Sequence, residues 1–332
     1  MTQSLTMSAL YKRLLQIGLK KDYVRKNGLP SWWNDELDDK PVAVLEGAGY
    51  ISKNLNLDIS SLLNPEENIK FNPIVKTKFK QHKKQDKSHP YLAQALASRI
   101  AELIAYGTNL QYTTLPDNVQ SIREEILSKP KQKKVNLKSL LDYCWGKGIA
   151  VGYFQQFPEK AKKFAGLIQW YSNSPIIILS STSKPSAKLA FDLAHELGHL
   201  VLGHLKSGVL VDEKIELDCQ DEEELQANNF ANKLLMGNLD NCLDNKKFHS
   251  HNHLLKHAKI QPEKNSSVDI ASIILNYAWH NSNNWGFAIK ALSKLEPNID
   301  CQKIINEYLA QQLDWDKYND ETYEYLEKVL KV

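Results

Sequence analysis

The sequence predicts an α+β protein, on three observations. Apolar residues recur at helical spacing toward both ends of the chain. Between residues 149 and 181 that spacing gives way to short β-branched and aromatic runs, "IAVGYF", "FAGLIQWY" and "PIIILSS", separated by Gly, Pro and Asn. Helical spacing then returns at once in "KPSAKLAFDLAHELGHLVLGHL". A chain of 332 residues suits two compact units or one elaborated domain.

Residues 1–69 read as an N-terminal helical region broken by the loop "NGLPSWWNDELDDKP". After it, "VAVLEGAGYISKNLNLDISSLL" predicts two short helices, the second capped by Asp58 or Ser60. Residues 70–90, "KFNPIVKTKFKQHKKQDKSHP", hold seven lysines against one acid and lose apolar periodicity, so they read as a basic linker. A DNA or acidic-partner contact is the sharper reading, but the Arg and aromatic interleaving of a nucleic-acid surface is missing. Residues 91–245 form the expected core. Its first helix, "YLAQALASRIAELIAYG", stops at Gly107; its second opens near Pro116 and Asp117; its third is capped by Asn136. The three strands follow, then the long helix opened by Ser183 and Pro185. "VLVDEKIELD" is a fourth extended piece, and a helix over "DEEELQANNFANKLLMG" ends at Gly237. Residues 246–332 read as a C-terminal helical region.

Net charge is +3, too slight to imply nucleic-acid binding by itself. The N-terminus shows no apolar signal-peptide core, and no run approaches the roughly 20 apolar residues that cross a bilayer. Cys144, Cys219, Cys242 and Cys301 make no CxxC pair and read as reduced thiols. The expected location is the cytoplasm, without membrane contact.

Chemistry concentrates in "FDLAHELGHLVLGHL". A helix turns about 100° per residue, so His195 and His199 share one face a turn apart and can reach one tetrahedral zinc ion. Glu196 flanks them as a general base toward water on the metal. The neighbours Leu193, Ala194, Leu197, Leu200, Val201 and Leu202 are apolar almost all round, so the helix is buried and its polar groups need partners. Gly198 leaves room for another element to approach.

A catalytic zinc needs a third protein ligand. His204 lies nine residues past His195, on the opposite face of a continued helix, and the longer H-E-x-x-H-x-x-G-x-x-H pattern fails at Leu202 and Leu205. His204 is therefore expected beside a ligand or at the helix C-terminus, facing away from the metal. Glu224 is the expected third ligand, with Glu223 next. Asn228, one turn after Glu224, is placed to hydrogen-bond a ligating His.

The residues "LLDYCWGKGIAV", "LAFDLAHELGHLVLGH" and "EEELQANNFANKLLMG", in that order, resemble the ImmA/IrrE metallopeptidase family over residues 92–240. The resemblance implies a zincin-like core, with a small twisted sheet against two active-site helices. It implies one Zn2+ held by His195, His199 and Glu224, with Glu196 as base. It also implies a protein substrate, a helix-turn-helix transcriptional repressor cut in a stress, DNA-damage or phage response. The family's Pro after "LLM" is Gly237 here. "GYISKNLNLDISSLL" resembles the end of a degenerate helix-turn-helix. A regulatory DNA- or protein-binding module with a structural or sensing zinc, or a toxin-type zinc hydrolase, remains open.

Among lesser candidates, His249, His251, His253 and His257 read as a half-exposed surface stretch, or as the source of an oxyanion-stabilising group. Cys144 and Cys219 read as core thiols before inhibitory metal ligands. Trp279, Trp285 and Phe287 read as C-terminal core or lid.

Overall fold

The run Pro175–Leu179 carries four consecutive apolar side chains, Ile176, Ile177, Ile178 and Leu179, each at most 1% exposed. A strand alternates its side chains between two faces, so this run needs cover on both. The computed structural model supplies it. It describes the chain except residues 1–5, 39, 74–76, 81–89, 160, 162–163, 183, 213–220, 238–242, 244–245 and 265–266.

Five strands form one mixed sheet: β1 (Thr77–Lys80), β2 (Ala150–Tyr153), β3 (Gly166–Tyr171), β4 (Ser174–Leu179) and β5 (Val209–Asp212), in the order β1-β5-β3-β4-β2. β3 lies antiparallel to both β4 and β5, while β1 joins β5 and β2 joins β4 in parallel. The protein is α+β, as its sequence predicts.

One sheet face, with Val151, Ile168, Ile177, Leu179 and Leu210, packs on α7 (Leu137–Gly146) and α8 (Ser186–Val201), in a core that also takes in α6 (Val119–Ser128), α9 (Glu222–Met236), α10 (His251–Lys264), α11 (Ile270–His280) and α12 (Trp285–Leu295). The other, with Ala150, Leu167, Ile176, Ile178, Val209 and Val211, packs on α5 (Pro90–Gly107), in a core that also takes in α1 (Met7–Gln16), α2 (Lys21–Gly28), α3 (Pro41–Leu55), α4 (Ile59–Leu63) and α14 (Asp320–Leu330). α13 (Cys301–Gln312) borders β2 and feeds both cores, through Ile305 and Leu309. The second core thus draws on residues from both sides of all three expected divisions, 69, 90 and 245, and the first crosses the one at 245.

The N-terminal helices are fastened to the last one. Tyr325 donates to the Asn54 carbonyl at 2.9 Å, Lys53 to Thr322 Oγ1 at 2.7 Å, and the Ser31 amide to the Glu324 carboxylate at 3.0 Å. "PVAVLEGAGYISKNL" makes one helix of 15 residues, α3, and Asp58 caps α4 by accepting from the Ser61 amide. Asn118, one residue past the expected Asp117, caps α6.

The basic linker needs a correction: residues 77–80 of the expected linker form β1, at the sheet edge. Backbone pairing at an edge needs no apolar run, and lysine is a usual edge-strand residue. Most of the remaining lysine-rich stretch, and with it the DNA-contact reading, lies outside the described residues. Among the described residues no helix is long and apolar enough to cross a membrane.

Gly148 joins α7 to β2 with φ at +75°, and a Cβ there would stand 2.2 Å from the Gln111 carbonyl oxygen. The left-handed backbone and the overlap with main chain should together cost at least about 2 kcal/mol in Gly148→Ala. Urea unfolding of the two proteins measures it.

Candidate metal centre

α8 is buried along nearly its whole length because it lies between the sheet and α7, α9 and α11. Its N-terminus, expected to open at Ser183 and Pro185, begins after Pro185, and Ser183 lies outside the described residues. The cap comes from the end of α12, where the Glu296 carboxylate accepts from the Ser186 amide at 3.2 Å and from its hydroxyl. A carboxylate there satisfies an orphan N–H and complements the helix dipole. Trp279 of α11 meets Phe191 edge-on at 3.8 Å. The C-terminal region therefore anchors α8.

Gly198 lets α9 approach: a Cβ there would meet the Phe230 ring at 3.1 Å and the Ala227 Cα at 3.3 Å. α9 starts at Asp221, whose side chain accepts from the Glu223 and Glu224 amides. That cap starts the helix so that Glu224, in its first turn, is 3% exposed, while Glu222 is exposed and Glu223 half-buried.

His195, His199, Asp212 and Glu224 bring their donor atoms together, all four buried. The two Nε2 atoms are 3.0 Å apart. His195 Nε2 is 3.5 Å from Asp212 and 3.3 Å from Glu224; His199 Nε2 is 3.3 Å from Asp212 and 3.4 Å from Glu224. Donors at the corners of a tetrahedron about 2.0–2.1 Å from zinc stand about 3.3 Å from one another. The five separations therefore fit one tetrahedral metal ion.

The surrounding hydrogen bonds point the same way. His195 Nδ1 faces Asn228 Oδ1 at 3.0 Å, and an amide oxygen only accepts, so Nδ1 carries the proton and Nε2 a lone pair. His204 Nε2 faces Gln226 Oε1 at 3.0 Å, which puts the His204 proton on Nε2. His204 Nδ1 then accepts from His199 Nδ1 at 2.8 Å, leaving His199 Nε2 with a lone pair as well. Two lone pairs facing each other at 3.0 Å beside two carboxylates call for a cation between them.

His204 does not face away from the metal, as a continued helix would place it. α8 ends first, in a Schellman turn. The His204 amide donates to the His199 carbonyl at 3.0 Å, the Gly203 amide to the Leu200 carbonyl at 3.3 Å, and Gly203 takes φ +72°. The turn folds His204 back onto His199.

Asp212 escaped the sequence reading. It ends β5, two residues after Leu210, and strand alternation turns both toward α8. An acid closing a strand on that face was the only signal. The Ala165 amide fixes its carbonyl at 2.8 Å, and its Cα pairs with Gly166. Gly166 is essential to the packing: a Cβ there would stand 1.7 Å from Glu196 Oε1. Neither carboxylate oxygen of Glu196 or Asp212 has a hydrogen-bond donor.

Burial, then the negative charges of Asp212, Glu224 and Asp192, push Glu196 well above the usual carboxylate range. Burial works to raise Asp212 too, but the His195 and His199 rings facing it outweigh burial and hold Asp212 low. Burial works to lower His195, yet the Asp212 and Glu224 carboxylates facing its Nε2 raise it to about 9, so a bound cation there would take the place of a proton.

Cys144 is fully buried in the core, its thiol pushed up to about 12 by burial; Cys219 lies outside the described residues. His253 and His257 pack against Phe248 on α10, and His249 stacks on His253. None of them belongs to the metal cluster.

Asn228→Ala leaves His195 without its orienting acceptor and should weaken metal binding roughly 10–100-fold. Competition with a chromophoric chelator measures the change.

Residues 148–240, from the start of β2 to just past α9, match the family model described as the IrrE N-terminal-like domain, Peptidase_M78. No curated protein matches the chain.

Proposed function

We propose, from the match of residues 148–240 to the IrrE N-terminal-like, Peptidase_M78 family model, that this chain is a zinc-dependent endopeptidase that cuts a regulatory protein, a helix-turn-helix repressor being the substrate class favoured. The observation that carries the reading is the buried set of His195, His199 and Glu224 with Glu196 beside it. A bound zinc ion would supply a Lewis acid for the scissile carbonyl and a more acidic water. His195 and His199 would hold it through Nε2, their tautomers set by Asn228 and His204. Glu196 takes the proton of the attacking water and returns it to the leaving amine.

The test loads the full chain with zinc and incubates it with the helix-turn-helix repressors of the same organism. A discrete clip is expected by mass spectrometry, lost with 1,10-phenanthroline and regained with zinc. Repressors all left intact by stoichiometrically loaded protein would overturn the substrate assignment.

A second reading, a structural or sensing zinc in a regulatory module, is favoured by one observation. Asp212 offers a fourth protein donor, and structural sites have four.

A further inference from the structure

We infer that Asp212 is a fourth protein ligand and that the resting centre is closed, with no position left for water until the Asp212 carboxylate withdraws. The inference rests on the peptidase reading above and adds the state in which the centre waits.

Asp212 Oδ2 lies 3.5 and 3.3 Å from the two histidine Nε2 atoms, as near as Glu224 does at 3.3 and 3.4 Å. Geometry therefore gives no ground for ranking Glu224 as a ligand above Asp212. Both Asp212 oxygens are buried without a hydrogen-bond donor, and a buried carboxylate in that condition needs a cation. Two carboxylates and two neutral imidazoles balance a divalent ion, and a neutral assembly is the one a buried site tolerates best.

Access agrees with coordination. His195, Glu196 and His199 are 0% exposed, Asp212 1% and Glu224 3%. A cavity of about 1080 Å³, lined by Arg99, Tyr106, Tyr112, Tyr171 and Lys317 among others, includes none of the metal-centre residues.

The Asp212 backbone is pinned between two strands, paired with Gly166 of β3 and Lys80 of β1. Opening the centre is therefore a matter of turning the side chain or shifting the end of β5. An edge strand that can exchange for a substrate strand is one way to shift it.

The test replaces the native metal with Co2+ in the full chain and uses azide as the probe, read in the cobalt visible spectrum. Wild type should take up one cobalt, show the intense bands of four-coordinate cobalt, and respond weakly to azide. Asp212→Ala and the isosteric Asp212→Asn should bind cobalt at least roughly tenfold more weakly and azide roughly tenfold or more tightly. Asp212→Asn keeps the side-chain volume should Asp212→Ala fail to fold. Wild-type cobalt that binds azide as tightly as the variants do would overturn the inference while leaving the peptidase reading intact. Cobalt uptake unaffected by His195→Ala would instead overturn the metal centre itself.

Discussion

Glu196→Gln is expected to slow peptide-bond hydrolysis by roughly 10²–10⁴-fold, the usual contribution of a positioned base, while zinc content stays at one per chain. The separation of the two readouts follows from where Glu196 sits. It shares α8 with His195 and His199, but the ligand contacts run from those histidines to Asp212 and Glu224. Its carboxylate lies against Gly166, and glutamine has the same shape, so the packing is kept. What is lost is the ability to accept a proton. Turnover of the cleaved partner, zinc content by mass spectrometry and a thermal melt, taken together, check it. Turnover within tenfold of wild type in a zinc-loaded, folded variant would remove Glu196 from the base role.

Gly166→Ala should reach nearly the same loss of turnover from the opposite side. The added Cβ would fall 1.7 Å from Glu196 Oε1 and 2.4 Å from its Cδ. β3 cannot retreat, because Gly166 pairs with Leu179 of β4 on one side and Asp212 of β5 on the other. The Glu196 carboxylate must move, and in a packed interior such overlap costs about 1–3 kcal/mol. A double-mutant cycle separates cause from coincidence. If the cost comes from Glu196, Gly166→Ala should be close to neutral for stability when Glu196 is already Ala. Equal destabilisation in both backgrounds would place the strain elsewhere.

The site was legible in the sequence where chemistry follows periodicity. His195 and His199 share a face at any helix position, and Glu224 and Asn228 sit one turn apart, so spacing alone groups each pair. Asp212 obeys no such spacing. Its place depends on β5 pairing with β3, where Asp212 meets Gly166 across 46 positions of chain, and the residues around it give no sign of that register. His204 misled for a local reason: a helical projection holds only while the helix lasts, and Gly203 ends it. The fold was legible in kind because helices and strands announce themselves in caps and apolar period, as Asp58, Asn136 and Gly237 do. Its layering was not. Nothing in "TKFK" names β5 as its neighbour, and nothing in the first helices says that α14 will cover them.

That last contact sets a condition on synthesis. Lys53 waits for Thr322 across 269 positions of chain. At about 5–20 residues per second, the ribosome takes about 15–50 s to make the intervening chain. For that interval the end of α3, with Lys53 and Asn54, stands without its partners Thr322 and Tyr325. The α3 end of the N-terminal layer is thus made well before the helix that completes it.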